Sequence, residues 1–273
     1  MTGNELRRRI RAGERVYGSL IVGNSPRWLS VIEGTSLDYV FIDIEHIALD
    51  RDTLSWMCQA YRQLGMPAIV RIPSPSPYEA TKVLDGGACG VLAPYVETKE
   101  EVEALVAAVK TRPFKGKMVV DYVTGREEPS PQMKEYLKNH NRDHVLLVNI
   151  ESRNGVGNLD TLLSYDGLDG IVIGPHDLST THDMAEAYDD PRFVDLVSSI
   201  IKKARSMGKG AGIHMTWEEG IEQEIRWAAD GANIILHKAD IILFSQQLRK
   251  ELDQIRAALG EEVATKSGEN VNI

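Results

Sequence analysis

Short apolar runs of four to seven residues recur along this chain, and longer amphipathic stretches separate most of them. Val16–Val22, Tyr39–Asp43, Ala68–Arg71, Gly90–Ala93, Met118–Asp121, Val145–Glu151, Gly170–Gly174, Gly210–His214 and Asn233–His237 read as strands. Arg51–Leu64, Tyr78–Asp85, Lys99–Lys110, Pro191–Met207, Trp217–Ala229 and a last stretch, Asp240–Leu259, repeat their apolar residues at helical spacing. Such alternation implies βαβ units and a parallel sheet. At this chain length the fold class it points to is α/β, as a single (β/α)8 TIM barrel. Nine strand candidates are one more than that barrel needs, and Met118–Asp121 is the surplus run because no strand–helix unit surrounds it.

The chain has 273 residues, 42% hydrophobic and 26% charged, which is enough for one large core. No proline- or glycine-rich linker divides it, so residues 1–259 read as a single domain, and the polar, aperiodic residues 260–273 are expected to fray. A net charge of −9 argues against a nucleic-acid partner held on a basic surface. No run approaches the roughly 20 apolar residues of a membrane span, and the start, MTGNELRRRIRAGE, lacks the apolar region of a secretory signal. Cys58 and Cys89 form no paired motif and read as small core residues in a reducing compartment. A soluble, cytoplasmic protein with a small-molecule partner is expected.

Charge collects at the strand ends. In DYVFIDIEHIALD the run Tyr39–Ile42 gives way to Asp43, Glu45 and His46, although a carboxylate buried without a partner costs several kcal/mol or gives up its charge. Arg71 follows Ala68–Val70, Glu151 follows Leu146–Ile150, and His176 and Asp177 follow Ile171–Pro175. Strands of a parallel barrel all direct their C-terminal ends to one face, where the active sites of such barrels lie. These residues are therefore expected at one mouth. Glu151 and Asp177 are metal candidates, since oxygen donors suit Mg2+, Mn2+ or similar ions that keep positions open for water and substrate. Taken singly, each is as easily a helix cap. Arg71 precedes the stiff segment IPSPSP and is a fixed cation for an oxyanion or a carboxylate; an ion pair with Asp43 or Glu45 is the plainer alternative. His46 can pass a proton near neutral pH if a carboxylate orients its other nitrogen.

Other features carry less. His140 and His144 have the spacing of a helical metal pair, but NRD between them reads as a loop and the two as solvated. Gly155-Val156-Gly157 lacks the third glycine of a dinucleotide site, so no nicotinamide cofactor is expected. Trp56, Met57 and Tyr61 read as core packing.

The segments FIDIEH, VRIPSPSPYEATKVLDGGACGVLAPYV, VNIES and DGIVIGPHDLS resemble, in order and spacing, the HpcH/HpaI family of class II, metal-dependent pyruvate aldolases. The resemblance runs from about Val16 to about Leu248. It implies a modified (β/α)8 barrel, a homo-hexamer whose last helix is exchanged between subunits, and a divalent metal ion, Mg2+ or Mn2+ with Co2+ or Zn2+ as options. It implies Glu151 and Asp177 as metal ligands and Arg71 as the residue holding the enolate oxygen of pyruvate. His46 would be the acid/base, oriented by Asp85, the aspartate of KVLDGG. Asn149, Pro175, His176 and Asp177 would contact the 2-oxoacid substrate, with backbone amides of the GPHD turn receiving its carboxylate. Asp43 and Glu45 would anchor metal-bound water. The activity implied is cleavage of a 4-hydroxy-2-oxoacid to pyruvate and an aldehyde through a pyruvate enolate. No Schiff-base lysine is required, and Lys238, after the last strand, is the one to check.

The chain also departs from the family pattern. Where members commonly carry Gly-x-Arg-Gly, this chain has PFKGKMVVDYVTGREEPS, with Lys117 offset and the arginine missing. Asn149 stands where glutamine is frequent, and His176 where a small residue is common. These changes spare the metal and enolate half and bear on the acceptor. Oxaloacetate decarboxylation, or condensation of the enolate with another carbonyl as in a citrate-forming homologue, is therefore the second reading. A binding or regulatory barrel with a dead site is the third, disfavoured because Arg71, His46, Asp85, Glu151 and Asp177 are all present.

Overall fold

Eight parallel strands close into one barrel in the order β1 to β8 in the computed structural model, which describes residues 1–123, 125–217 and 220–261. They are β1 Val16–Leu20, β2 Tyr39–Asp43, β3 Ala68–Arg71, β4 Gly90–Ala93, β5 Val145–Ile150, β6 Gly170–Ile173, β7 Gly210–Met215 and β8 Ile234–Ala239. Ahead of β1 lies α1 (Gly3–Ala12), and α2 (Arg27–Glu33), α3 (Arg51–Gln63) and α4 (Pro77–Asp85) follow the first three strands. Between β4 and β5 come α5 (Lys99–Lys110), α6 (Lys117–Val123) and α7 (Pro131–His140); α8 (Arg153–Gly157) and α9 (Leu159–Leu163) follow β5. The rest are α10 (Pro175–Thr181), α11 (Pro191–Ser206), α12 (Ile221–Ala229) and α13 (Asp240–Leu259).

The strands are buried along nearly their whole length, as a sheet covered on both faces requires. One set of side chains, including Tyr39, Phe41, Ile69, Leu147 and Ile234, fills the barrel, and a second packs the helices onto its outside. Gly18 leaves room for the Tyr39 ring, because a Cβ there would lie 2.3 Å from its Cζ. Met57, Tyr61 and both free cysteines are buried as expected, whereas Trp56 faces outward. The surplus run Met118–Asp121 is helical, within α6. His140 is exposed, but His144 is half-buried: burial, with Arg112 and Lys110 adding to it, brings its pKa down to about 4.

Helix α1, absent from the sequence reading, supplies Leu6 and Ile10 to the barrel core. Its Arg7 and Arg11 meet Lys110 of α5 on the carboxylate of Asp169, just ahead of β6, at 2.9, 2.8 and 2.5 Å. Burial alone would raise the pKa of Asp169, but Lys110 and the two arginines hold it down at about 2. At the other end of the chain, α13 buries Ile242 in its first turn, while Phe244, Leu248, Leu252 and Ile255 are exposed. Among the described residues no helix is long and apolar enough to cross a membrane.

Candidate active site

A cavity of about 410 Å³ opens at the C-terminal ends of the strands, walled by His46, Arg71, Asn149, Glu151, Pro175, His176 and Asp177 among others. Residues from β2, β3, β5 and the β6–α10 turn therefore share one mouth. The even-numbered strands contribute an apolar floor of Phe41, Leu92, Val172 and Leu236, while β3, β5 and β7 contribute Arg71, Asn149 and His214. Side chains from alternate strands forming one layer are the rule inside such barrels. Val22 and Ile241 complete the rim, joined because Asp240 accepts the backbone N–H groups of Val22 and Gly23 at 3.0 and 2.9 Å.

Arg71 is both a paired arginine and a wall of the cavity. Its Nε donates to Asp43 Oδ1 at 2.9 Å and its Nη2 to Oδ2 at 2.5 Å, a bidentate clamp between neighbouring strands. Burial pushes the Asp43 pKa up, but the guanidinium outweighs it and holds the carboxylate below its usual range. Burial likewise opposes the charge of Arg71, and Asp43 and Glu45 restore it. Asp43 Oδ1 also accepts the Glu45 N–H at 2.9 Å, which fixes the carboxylate that anchors the arginine. Glu45 Oε2 lies 3.0 Å from Arg71 Nε, yet that N–H points to Asp43, leaving Oε2 buried without a hydrogen-bond partner among the described residues. Glu45 Oε1 is 3.7 Å from His46 Nε2.

Glu151 lies just past β5 and is 5% exposed. The Tyr95 N–H donates to its Oε1 at 2.6 Å, and its Oε2 occupies the space where a Cβ on Gly174 would sit, 2.4 Å away. Only glycine fits at 174 while Glu151 keeps this position. Burial raises the Glu151 pKa to about 7, the Tyr95 amide works against it, and Asp177 and Glu45 add to the rise. The carboxylates thus lie in a pocket short of positive charge. Together with the unpartnered Glu45 oxygen, this donor set fits a hard divalent cation. Among the described residues no group of three or more His, Cys, Asp or Glu side chains is arranged to hold a metal by itself, so water and substrate would complete the shell.

Tyr95 escaped the sequence reading. It has φ 53°, a left-handed conformation that costs a tyrosine about 1–3 kcal/mol, and this is what turns its N–H onto Glu151. Its phenol meets Glu45, which pushes its pKa up. The one available signal was its place two residues beyond β4, in LAPYV. His214, Tyr188 and Thr216 in the cavity wall were missed too, because none of them stands out as a fixed charge at the end of an apolar run.

Two expectations meet a different structure. Asp85 does not reach His46 within the chain: it ends α4, pairs with Arg112, and borders a separate cavity with it. The reason is topological, since a helix linking parallel strands runs back toward their N-terminal ends and carries Asp85 away from the mouth. The described part of residues 115–128 likewise lines cavities on the outer surface and not the site. Lys238 donates from Nζ to Gln246 Oε1 at 2.7 Å and is not among the cavity walls.

The sequence model described as HpcH/HpaI aldolase/citrate lyase matches residues 17–240. The chain belongs to that family. Among its relatives is the 2-keto-3-deoxy-L-rhamnonate aldolase of Escherichia coli K12, 28% identical over 258 residues, which are 94% of this chain and 95% of that one. The HpcH/HpaI aldolase from Desulfitobacterium hafniense DCB-2 shares the fold with a TM-score of 0.77, at 23% identity over 92% of this chain and 96% of its own. The citrate synthase SbnG gives 0.76 at 26% identity, covering 94% of this chain and 99% of its own. As an HpcH/HpaI protein, the chain is a carbon–carbon lyase of the aldolase class.

Proposed function

We propose that the protein cleaves a 4-hydroxy-2-oxoacid to pyruvate and an aldehyde. The observation that carries this reading is a clamped Arg71 facing the same cavity as the carboxylates of Glu151 and Asp177, the former held above its usual pKa by burial. Glu151 and Asp177 would hold a divalent cation, Mg2+ or Mn2+ first, which supplies Lewis acidity to the oxoacid carbonyl when bound. Arg71, kept in place by Asp43, stabilises the enolate oxygen as charge develops there. Backbone amides of the Gly174–Asp177 turn receive the carboxylate. His46 takes the proton from the C4 hydroxyl, the C3–C4 electron pair passes into the enolate, and the aldehyde leaves. Protonation of C3 then yields pyruvate.

We place Asp85 beside the His46 of a neighbouring copy, in a homo-hexamer with exchanged α13. The apolar stripe left open on α13 supports this arrangement. The free, buried cysteines suit a reducing cytoplasm.

Condensation with a carbonyl other than an aldehyde, or oxaloacetate decarboxylation, is the second reading. It is favoured by the likeness to SbnG and by the exposed His176 at the mouth. The test is pyruvate release from a panel of 2-oxoacids by metal-loaded protein, alongside deuterium uptake at the pyruvate methyl group. Release from 4-hydroxy-2-oxoacids supports the aldolase. Release from oxaloacetate alone favours the second reading, and neither release nor uptake with any divalent metal rejects both.

A further inference from the structure

We infer that Asn149 and His214 form a subsite for a hydroxyl group of the substrate. This deepens the aldolase reading and rests on it.

Asn149 is 2% exposed and walls the cavity. Its Nδ2 donates to the Val172 carbonyl at 3.3 Å, and since a carbonyl only accepts, this contact fixes which end of the amide is nitrogen. Oδ1 is then the atom left over, buried and without a partner among the described residues. His214, on β7, walls the same cavity, with its ring edge-on to Phe41 at 5.6 Å between centroids. Its Nε2 lies 3.4 Å from the Lys238 carbonyl, so that nitrogen carries the proton and Nδ1 presents a bare lone pair. Among the described residues Nδ1 has no hydrogen bond. Burial, with Arg71 adding to it, lowers the His214 pKa to about 4, so the ring is neutral at pH 7 and Nδ1 is free to accept.

Asn149 Oδ1 and His214 Nδ1 thus accept no hydrogen bond from the described residues, although both side chains wall the cavity. Buried acceptors without donors are costly, so the group they are built for carries O–H. The pyruvate enolate has none: its carboxylate and its C2 oxygen accept, and its C3 is a methylene. The donor must come from elsewhere on the substrate, either from C3 of a hydroxylated oxoacid or from the carbon chain of the aldehyde. The apolar floor of Phe41, Leu92, Val172 and Leu236 gives such a hydroxyl no competing partner below.

Two matched comparisons with metal-loaded protein distinguish the sources. The first follows C3 proton exchange of hydroxypyruvate against pyruvate; the second follows condensation of pyruvate with glycolaldehyde against acetaldehyde. In one comparison the hydroxylated member is expected to be favoured in kcat/KM by roughly tenfold, the worth of one neutral hydrogen bond to a buried acceptor. His214→Phe, which keeps a ring against Phe41 but removes Nδ1, should bring that ratio toward one, and His214→Gln should restore part of it. A wild-type ratio near one in both comparisons overturns the subsite whether or not the variants fold. So does a folded His214→Phe protein that keeps the wild-type ratio. Absence of any proton exchange in wild type is a different result, which removes the aldolase reading itself.

Discussion

Asp43 holds the guanidinium of Arg71 by two hydrogen bonds, with Glu45 beside it and Glu151 and Asp177 lining the same cavity. An arginine that need not reorganise as charge develops contributes to the transition state about as much as a fixed oxyanion donor, roughly 2.7–4 kcal/mol. Arg71→Ala should therefore slow deuterium uptake at the pyruvate methyl group by about a hundred- to a thousandfold, with metal binding by calorimetry retained. Uptake at the wild-type rate would remove Arg71 from the enolate. Glu151 predicts a pH effect on the metal-stripped protein. Its folded pKa is raised to about 7 from 4.5, so between those values the folded state holds a proton that the unfolded state releases. Its contribution is fully present below 4.5 and is lost as pH rises through about 7, a change of roughly 3 kcal/mol. Thermal unfolding from pH 4.5 to 8 should show this fall in wild type and not in Glu151→Gln, and saturating Mg2+ or Mn2+ should reduce it. Parallel curves for the two proteins would show that Glu151 is not strained. At this scale the sequence was readable where a charge interrupts an apolar run, as at Asp43, Arg71 and Glu151. It was silent about Tyr95, whose contribution is a backbone N–H turned by a left-handed φ, and about His214, whose role depends on which ring nitrogen faces a carbonyl.

Strand and helix were mostly legible because each uses one period of apolar residues. Lys99–Lys110 and Asp240–Leu259 have the bounds expected of them, and the former opens with a capping box between Thr98 and Glu101. KMVVDYV misleads because its β-branched residues suggest a strand, whereas Lys117 and Asp121 pair one helical turn apart and the apolar residues face cavities on the outer surface. Helix α1 is hidden for the opposite reason. Its composition is dominated by charge, and only Leu6 and Ile10 face the core. Its arginines act through Asp169, which joins α1, α5 and β6 and also accepts the Leu146 N–H of β5 at 2.9 Å. Removing one member of a buried ionic cluster leaves the others uncompensated, at a cost of about 3–5 kcal/mol. Asp169→Asn should lower stability by that amount, read as a shift in the urea midpoint. Because the cluster and the mouth lie at opposite ends of the barrel, activity per folded molecule should change little. A midpoint like that of wild type would mean that α1 is held by its apolar residues alone.

At the scale of the whole molecule, one chain leaves two things unfinished. The stripe Phe244, Leu248, Leu252 and Ile255 on α13 has no cover from its own barrel, and Asp85 lies on the wrong side of the fold to orient its own His46. Neither was legible in the sequence, because a period shows that a helix has an apolar face without showing whose surface it meets. The closed assembly of identical subunits proposed above would answer both, with each copy lending α13 and Asp85 to another. Light scattering should then give six times the 30.3 kDa chain mass, and charged substitutions at Phe244 and Leu248 together should reduce it. Size alone would not place Asp85, so the sharper experiment mixes two defective proteins. His46→Ala lacks the base in every site, and Asp85→Asn lacks its orienting partner in every site, so each alone should be nearly inactive. If both residues belong to one chain's site, subunit exchange between the two variants restores nothing. If Asp85 comes from a neighbour, an intact site arises wherever an Asp85→Asn subunit, whose His46 is whole, sits beside a His46→Ala subunit, whose Asp85 is whole. Random assembly in equal amounts makes about a quarter of the sites complete. Activity should rise toward that fraction of wild type as subunits exchange, and an unmixed baseline after full exchange would confine Asp85 to its ion pair with Arg112.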